Sequence, residues 1–170
     1  MGIETEKKYL VNFDEWQAIS QCRNNDVRIT DYKHLTQGYL KNGPDCYVRI
    51  RTTLDGNDSS NRAGFVTIKG PRVGITCAEF EYEIPYDDAQ QLLELCPTTL
   101  DKIRHNVVDQ WDQHWEVDQF FGINSGLFVA ELELEDPEQV IVLPSFVDKD
   151  VSTDVRYTNV MLIHTPAPQT

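Results

Sequence analysis

Positive charge is scarce in this 170-residue chain: 15 Lys and Arg stand against 28 Asp and Glu, a formal net charge of −13. So acidic a protein does not suit nucleic acid, whose binders carry a broad basic face. Long apolar runs are missing as well. None approaches the ~20 residues that a membrane-spanning helix needs, so a transmembrane protein is not expected. The start, Met1-Gly2-Ile3-Glu4-Thr5-Glu6-Lys7-Lys8, lacks the apolar stretch of a secretory signal. Glu6 also stands where a myristoylation signal wants Ser or Thr, and a cytoplasmic location is the expectation. Cys22, Cys46, Cys77 and Cys96 form no CxxC pair and have no neighbouring His. That fits neither zinc spacing nor a disulfide scaffold, and reduced thiols are expected. The four histidines form no HExxH, and GxGxxG, Walker A and GxSxG patterns are absent. If such a chain handles an anion, its few cations must be concentrated in a pocket.

What the chain does have is globular composition, 40% hydrophobic and 25% charged, with length enough for one domain and a core of its own. Segments of alternating character are separated by well-marked turns, the pattern of an antiparallel all-β core. The expected strands are Ile3–Val11, Arg28–Leu40, Asp45–Leu54, Ala63–Lys69, Ile75–Ile84, Thr98–Asp109, Gln113–Phe121 and Gly126–Glu135. Helices are expected only as short insertions. Asp14 would cap Glu15–Gln21, Asp87 would cap Asp88–Leu95, and a last helix would run from Asp154 to about Ile163. One domain over 1–165 is expected, with a short flexible tail at 166–170. Eight strands with a few helices suggest a closed or nearly closed barrel, because closure removes exposed edges.

Residues two apart on a strand point the same way, so each strand divides into two faces. Glu4, Glu6 and Lys8 share one face, as do Arg49 and Arg51. Lys69 closes the run from Phe65; Glu79, Glu81 and Glu83 line up together; Lys102 alternates to Arg104, and Glu131 to Glu133. Each strand alone reads equally well as half-exposed with a charged outer face. Taken together, the charges come in same-sign pairs and divide into a Glu-rich and a Lys/Arg-rich group. If these faces point inward, the lumen holds a cluster of carboxylates beside a cluster of cations. Grouped carboxylates are hard oxygen ligands for Mg²⁺ or Mn²⁺, and grouped Lys and Arg bind phosphate oxygens. Both together describe a site for a metal–polyphosphate complex.

These residues resemble a known family. Glu4-x-Glu6-x-Lys8 is similar to the ExExK motif of the CYTH superfamily, the triphosphate tunnel metalloenzymes. The likeness continues through Gln37-Gly38-Tyr39-Leu40, Val48-Arg49-Ile50-Arg51, Thr67-Ile68-Lys69-Gly70 and Glu79-Phe80-Glu81-Tyr82-Glu83-Ile84-Pro85. It extends over Lys102-Ile103-Arg104, Trp115-Glu116-Val117-Asp118, Glu131-Leu132-Glu133 and the Arg156-Tyr157-Thr158-Asn159 ending. The resemblance implies a mainly β protein of the α+β class, with an eight-stranded antiparallel closed barrel forming a tunnel and a few short helices outside. It implies metal ligation by Glu4, Glu6, Asp118, Glu131 and Glu133, and phosphate binding by Lys8, Arg49, Arg51, Lys69, Lys102 and Arg104. Lys149 and Arg156 would close the tunnel. Tyr39 would help orient catalytic groups, while Glu79 and Glu81 position water or orient the cations.

Lys102, crowded among cations, is a candidate base, and a purely phosphate-binding Lys102 is an equal alternative. Inorganic tripolyphosphate is the leading substrate; thiamine or nucleoside triphosphate hydrolysis, a class IV adenylyl cyclase and a non-catalytic polyphosphate binder are the alternatives. Monomer and homodimer both stay open. The family pattern has Arg where this chain has Cys77, on the face of Glu79 and Glu81. A lost guanidinium there would weaken substrate binding or select a differently shaped or less charged substrate, and Cys77→Arg is expected to lower the KM for polyphosphate.

Overall fold

The computed structural model describes residues 2–21 and 26–168. The alternating segments form strands where expected: β1 (Ile3–Val11), β2 (Val27–Asn42), β3 (Tyr47–Asp55), β4 (Arg62–Lys69), β5 (Thr76–Ile84), β6 (Thr99–Asp109), β7 (His114–Phe120) and β8 (Phe128–Glu133). All neighbours pair antiparallel, in the order β5-β4-β3-β2-β6-β7-β8-β1, and β1 pairs back to β5. The eight strands therefore close into a barrel, the seam running over Ile3–Thr5 of β1 and Thr76–Ala78 of β5. A ninth strand, β9 (Val147–Asp150), was not expected, because Val-Asp-Lys-Asp is too short and too charged to read as one. β5 covers β1 only at Ile3–Thr5, and β9 takes the rest of that edge at Tyr9 and Val11.

Among the described residues, three helices decorate the ring. α1 (Phe13–Ser20) starts two residues earlier than the Asp14 cap suggested: Asn12 is the cap, its side chain accepting the Glu15 N–H at 3.2 Å. Asp14 instead sits in the first turn, where its charge suits the helix dipole. α2 (Tyr86–Glu94) likewise begins ahead of Asp87, behind Pro85 and with no side-chain cap. The expected helix from Asp154 to Ile163 is broken in two. Asp154 caps a single 3-10 turn at Val155–Tyr157, and Thr158 caps α3 (Asn159–Leu162). Ala167, in the segment expected to be a loose tail, donates its N–H to Asn124 at 3.0 Å.

Because the lumen faces carry the charges, the main apolar core lies outside the barrel. Tyr9, Val107, Trp115, Val117, Ala130 and Leu132 on the outer faces of β1, β6, β7 and β8 are covered by Trp16 and Ile19 of α1 and by Phe146. α2 covers β3 and β4. It comes so close that a Cβ on Gly64 would lie 2.6 Å from the Ala89 Cβ. One end of the barrel is apolar inside as well. Leu10, Leu100, Phe120 and Val129 continue the lumen faces, and Tyr157, Leu162 and Ile163 plug them from the C-terminal segment. The barrel is thus a tunnel stopped at one end.

Candidate active site

The lumen opens into a cavity of about 1140 Å³. Its walls are the charged faces: Glu4, Glu6 and Lys8 from β1, Arg49 and Arg51 from β3, Lys69 from β4, Glu79 and Glu81 from β5, Arg104 from β6, and Glu131 and Glu133 from β8, with Tyr39 of β2. Strand pairing explains the convergence, since residues facing each other across a ladder share a side. Lys8 opposes Glu131, Glu6 opposes Glu133, Arg49 opposes Tyr39 and Thr67, and Lys69 opposes Glu79.

Two ion-pair networks result. On β1, β6, β7 and β8, Lys8 bonds to Glu131 and lies 3.2 Å from Glu6. Arg104 takes Asp118 with two nitrogens at 2.7 Å each and Glu131 at 2.7 Å, and it also bonds to Glu116. On β3, β4 and β5, Arg49 reaches Glu81 at 3.2 Å and Glu79 at 3.6 Å, and Arg51 reaches Glu81 at 2.9 Å. Lys69 lies 3.2 Å from Glu79 and bonds to Glu4 of β1, and the Thr67 hydroxyl donates to Glu81 at 2.7 Å. Arg72, from the β4–β5 turn, closes the ring by bonding to Glu6.

The electrostatics follow from crowding in a dry space. Burial would raise the Glu4 carboxyl, but Lys69 and hydrogen bonds from Glu79 and Lys69 outweigh it and hold it down at about 2. Burial and the hydrogen bond to Glu4 push its neighbour Glu79 up to about 7. Burial and then Glu4, Glu116 and Glu6 raise Glu133, so these carboxylates face a common space. Burial and Arg49 lower Arg51 to about 10. Three buried guanidinium nitrogens, Arg49 Nε, Arg51 Nε and Arg72 Nη1, have no hydrogen-bond acceptor among the described residues. Each such donor costs about 1–3 kcal/mol while unpaired, a cost that the crowding of cations in this wall carries.

Not every expected site residue reaches the cavity. Lys102 and Asp118 sit behind its wall, 2% and 0% exposed, bonded to each other with Arg104 in front. Both Asp118 oxygens are held by these two cations, as both Glu131 oxygens are held by Lys8 and Arg104. Burial, then Arg104, lowers the Lys102 amine to about 8. Lys149 is exposed on β9, and Arg156 is turned onto Asp154 at 2.6 Å; neither lines the cavity. The C-terminal segment contributes Val155, Thr158 and Asn159 instead.

Glu116, Thr67 and Arg72 belong to the site and were not expected there. Strand parity with Asp118 and with Lys69 would have placed the first two. Arg72 has no such signal.

Metal ligation is chemically open to this site. Glu4, Glu6, Glu131 and Glu133 offer hard oxygens suited to Mg²⁺ or Mn²⁺, and the raised Glu133 reports carboxylates crowded together. Among the described residues, no three such ligands meet at one point, because Lys8, Lys69, Arg72 and Arg104 hold the carboxylates. The fit is therefore conditional on a substrate that draws those cations away. Cys46, Cys77 and Cys96 are free thiols, and Cys22 lies outside the described residues.

No protein-family model matches the chain. A relative from Acetivibrio thermocellus, named inorganic triphosphatase, is 36% identical over 169 residues, 98% of this chain and 96% of its own. The chain belongs to the inorganic triphosphatase family, and with it to the CYTH superfamily. A second inorganic triphosphatase, from Nitrosomonas europaea, is 31% identical over 131 residues, 74% of this chain and 80% of that one. Among solved structures, an inorganic triphosphatase superposes with a TM-score of 0.61 at 25% identity, covering 95% of this chain and 98% of its own. Among the described residues no helix is long and apolar enough to cross a membrane.

Proposed function

We propose that this chain binds inorganic tripolyphosphate in its tunnel and hydrolyses it, with Mg²⁺ or Mn²⁺, to pyrophosphate and orthophosphate. The observation that carries this reading is the cavity wall itself, where Lys8, Arg49, Arg51, Lys69 and Arg104 stand among Glu4, Glu6, Glu131 and Glu133. Lys8, Arg49, Arg51, Lys69 and Arg104 bind the phosphate oxygens and offset the charge that builds on them as the bridging bond breaks. They are now held by Glu4, Glu6, Glu79, Glu81 and Glu131. Exchanging those partners for phosphate oxygens frees the carboxylates of β1 and β8. Glu4, Glu6, Glu131 and Glu133 would hold the metal, which when bound supplies Lewis-acid neutralisation of the phosphate oxygens.

Glu79 lies between Lys69 and Arg49, next to where phosphate would bind. It orients the attacking water and takes its proton as water oxygen bonds to the terminal phosphorus and pyrophosphate departs. Glu81, fixed by Thr67, Arg49 and Arg51, aligns the two arginines. Tyr39, half-buried beside Arg49, backs the phosphate cations. Lys102 and Asp118 brace Arg104 from behind the cavity wall.

The test is orthophosphate release from tripolyphosphate, thiamine triphosphate and ATP, each with Mg²⁺, Mn²⁺ or EDTA. Metal-dependent turnover of tripolyphosphate, lost in Glu4→Gln and Glu79→Gln, supports the proposal. Turnover confined to ATP, or none with any substrate, refutes it.

A further inference from the structure

Outside the strands, one cation enters the cavity from a turn. The β4–β5 ladder runs in register through Lys69 and Glu79, and the Gly70 N–H still meets the Ala78 carbonyl at 2.9 Å. The next pair is Val73 with Thr76. Two residues, Pro71 and Arg72, therefore stand opposite the single residue Cys77, which is a β-bulge. Without it Arg72 would fall on the outer face with Ile68 and Gly70. With it, the Arg72 side chain turns inward, 27% exposed, and bonds to Glu6. The turn is also pinned from below. Gly74 takes a φ of 62°, which suits glycine, and the Ile75 carbonyl accepts the Glu6 N–H at 3.1 Å.

The guanidinium lies on the wall shared with Cys77. Cys77 is small, buried and 3.4 Å from Glu4, and it carries no charge to offer an anion. One Arg72 nitrogen, Nη1, is buried without an acceptor, although the other holds Glu6.

We propose that Arg72 is a substrate-binding residue, a phosphate clamp delivered by the bulged turn into the place that Cys77 leaves uncharged. The proposal rests on the triphosphate reading above. When a polyphosphate enters, Arg72 grips its oxygens and lets go of Glu6, so substrate capture and release of that carboxylate are one motion. Cys77→Arg in the otherwise unchanged protein then gains nothing, because Arg72 already fills the place.

The experiment is calorimetric binding of tripolyphosphate in EDTA, which needs no turnover, with KM and kcat measured alongside in Mg²⁺. Arg72→Ala is expected to weaken binding and raise KM about tenfold, the scale of one charge-assisted contact, with kcat within about twofold. Arg72→Lys recovers part of the loss, and Cys77→Arg added to Arg72→Ala recovers most of it. The loss persists in a Glu6→Gln background. Unchanged binding in Arg72→Ala overturns the proposal. A loss that vanishes with Glu6→Gln also overturns it, since Arg72 would then act only by neutralising Glu6. Cys77→Arg tightening binding by itself, or failing to rescue, overturns the assigned place. If the wild type binds tripolyphosphate but does not hydrolyse it, the hydrolase reading fails while the binding comparison still decides Arg72.

Discussion

Asp118→Asn tests most directly whether the charged lumen holds the barrel together. The carboxylate is fully buried and takes two Arg104 nitrogens at 2.7 Å as well as the Lys102 amine. The amide keeps the shape and removes the charge, leaving Lys102 without its ion-pair partner and Arg104 with Glu116 and Glu131 only. Removing one partner of a buried pair costs about 3–5 kcal/mol, against at most ~1 kcal/mol for exposed pairs. At this chain length that lowers the melting temperature by on the order of 10 °C.

The pH sets how much of the loss appears. Burial and Arg104 bring the folded Lys102 amine to about 8, below the 10.5 of an ordinary lysine. Between those values the unfolded chain binds more protons than the folded one, so wild-type stability rises with pH across that window. Below pH 8 Lys102 is charged and needs Asp118; above it the amine is neutral and the pairing is gone from the wild type too. The Asp118→Asn deficit is therefore largest near pH 6 and shrinks at pH 9 toward the share due to Arg104. Urea denaturation of both proteins at the two pH values measures it. A deficit under ~1 kcal/mol at pH 6, or one equal at both pH values, would refute the reasoning.

Four further outcomes are expected. Trp16→Ala, which empties the space against His105, Phe128 and Phe146, should lose about 3–5 kcal/mol by denaturation while KM at low temperature stays put. His105 is lowered from its ordinary value, chiefly by burial, so its contribution is lost as pH falls through the folded pKa. Melting temperatures at pH 5 and pH 8 should then differ less in His105→Phe than in wild type, and an equal difference would exclude His105 as a source. Burial first, then Glu4, pushes the Cys77 thiol up to about 11 despite Lys69. Iodoacetamide at pH 8 should leave it unmodified in the native protein, as read by mass spectrometry. EDTA should abolish turnover and Mg²⁺ or Mn²⁺ restore it; activity that survives chelation would sink the metal assignment.

Much of this was legible from alternation. β1 begins and ends at the residues that the sequence pattern indicated, and Glu4, Glu6, Lys8, Arg49, Arg51 and Lys69 line the cavity as their parity required. Glu116 and Thr67 share the parity of Asp118 and Lys69 and are equally legible from it. β9 was not legible, since its pairing depends on an edge of β1 that β5 happens to leave free. The cap positions shifted because Asn12 and Pro85 precede the acidic residues that look like caps and serve instead in the first turn.

The sequence by itself determined which residues share a strand face, hence that a closed barrel of these strands would enclose both signs of charge. That follows from a period of two, a local property of extended backbone. Only the tertiary structure decided which of those charges meet the cavity. Lys102 and Asp118 have the right parity yet face each other behind Arg104, next to the apolar plug of Leu100, Phe120 and Val129 that stops the tunnel. Arg72 has the wrong parity and arrives through a one-residue bulge. Depth and register depend on how strands pair across the ring, and no periodicity within one strand carries that information.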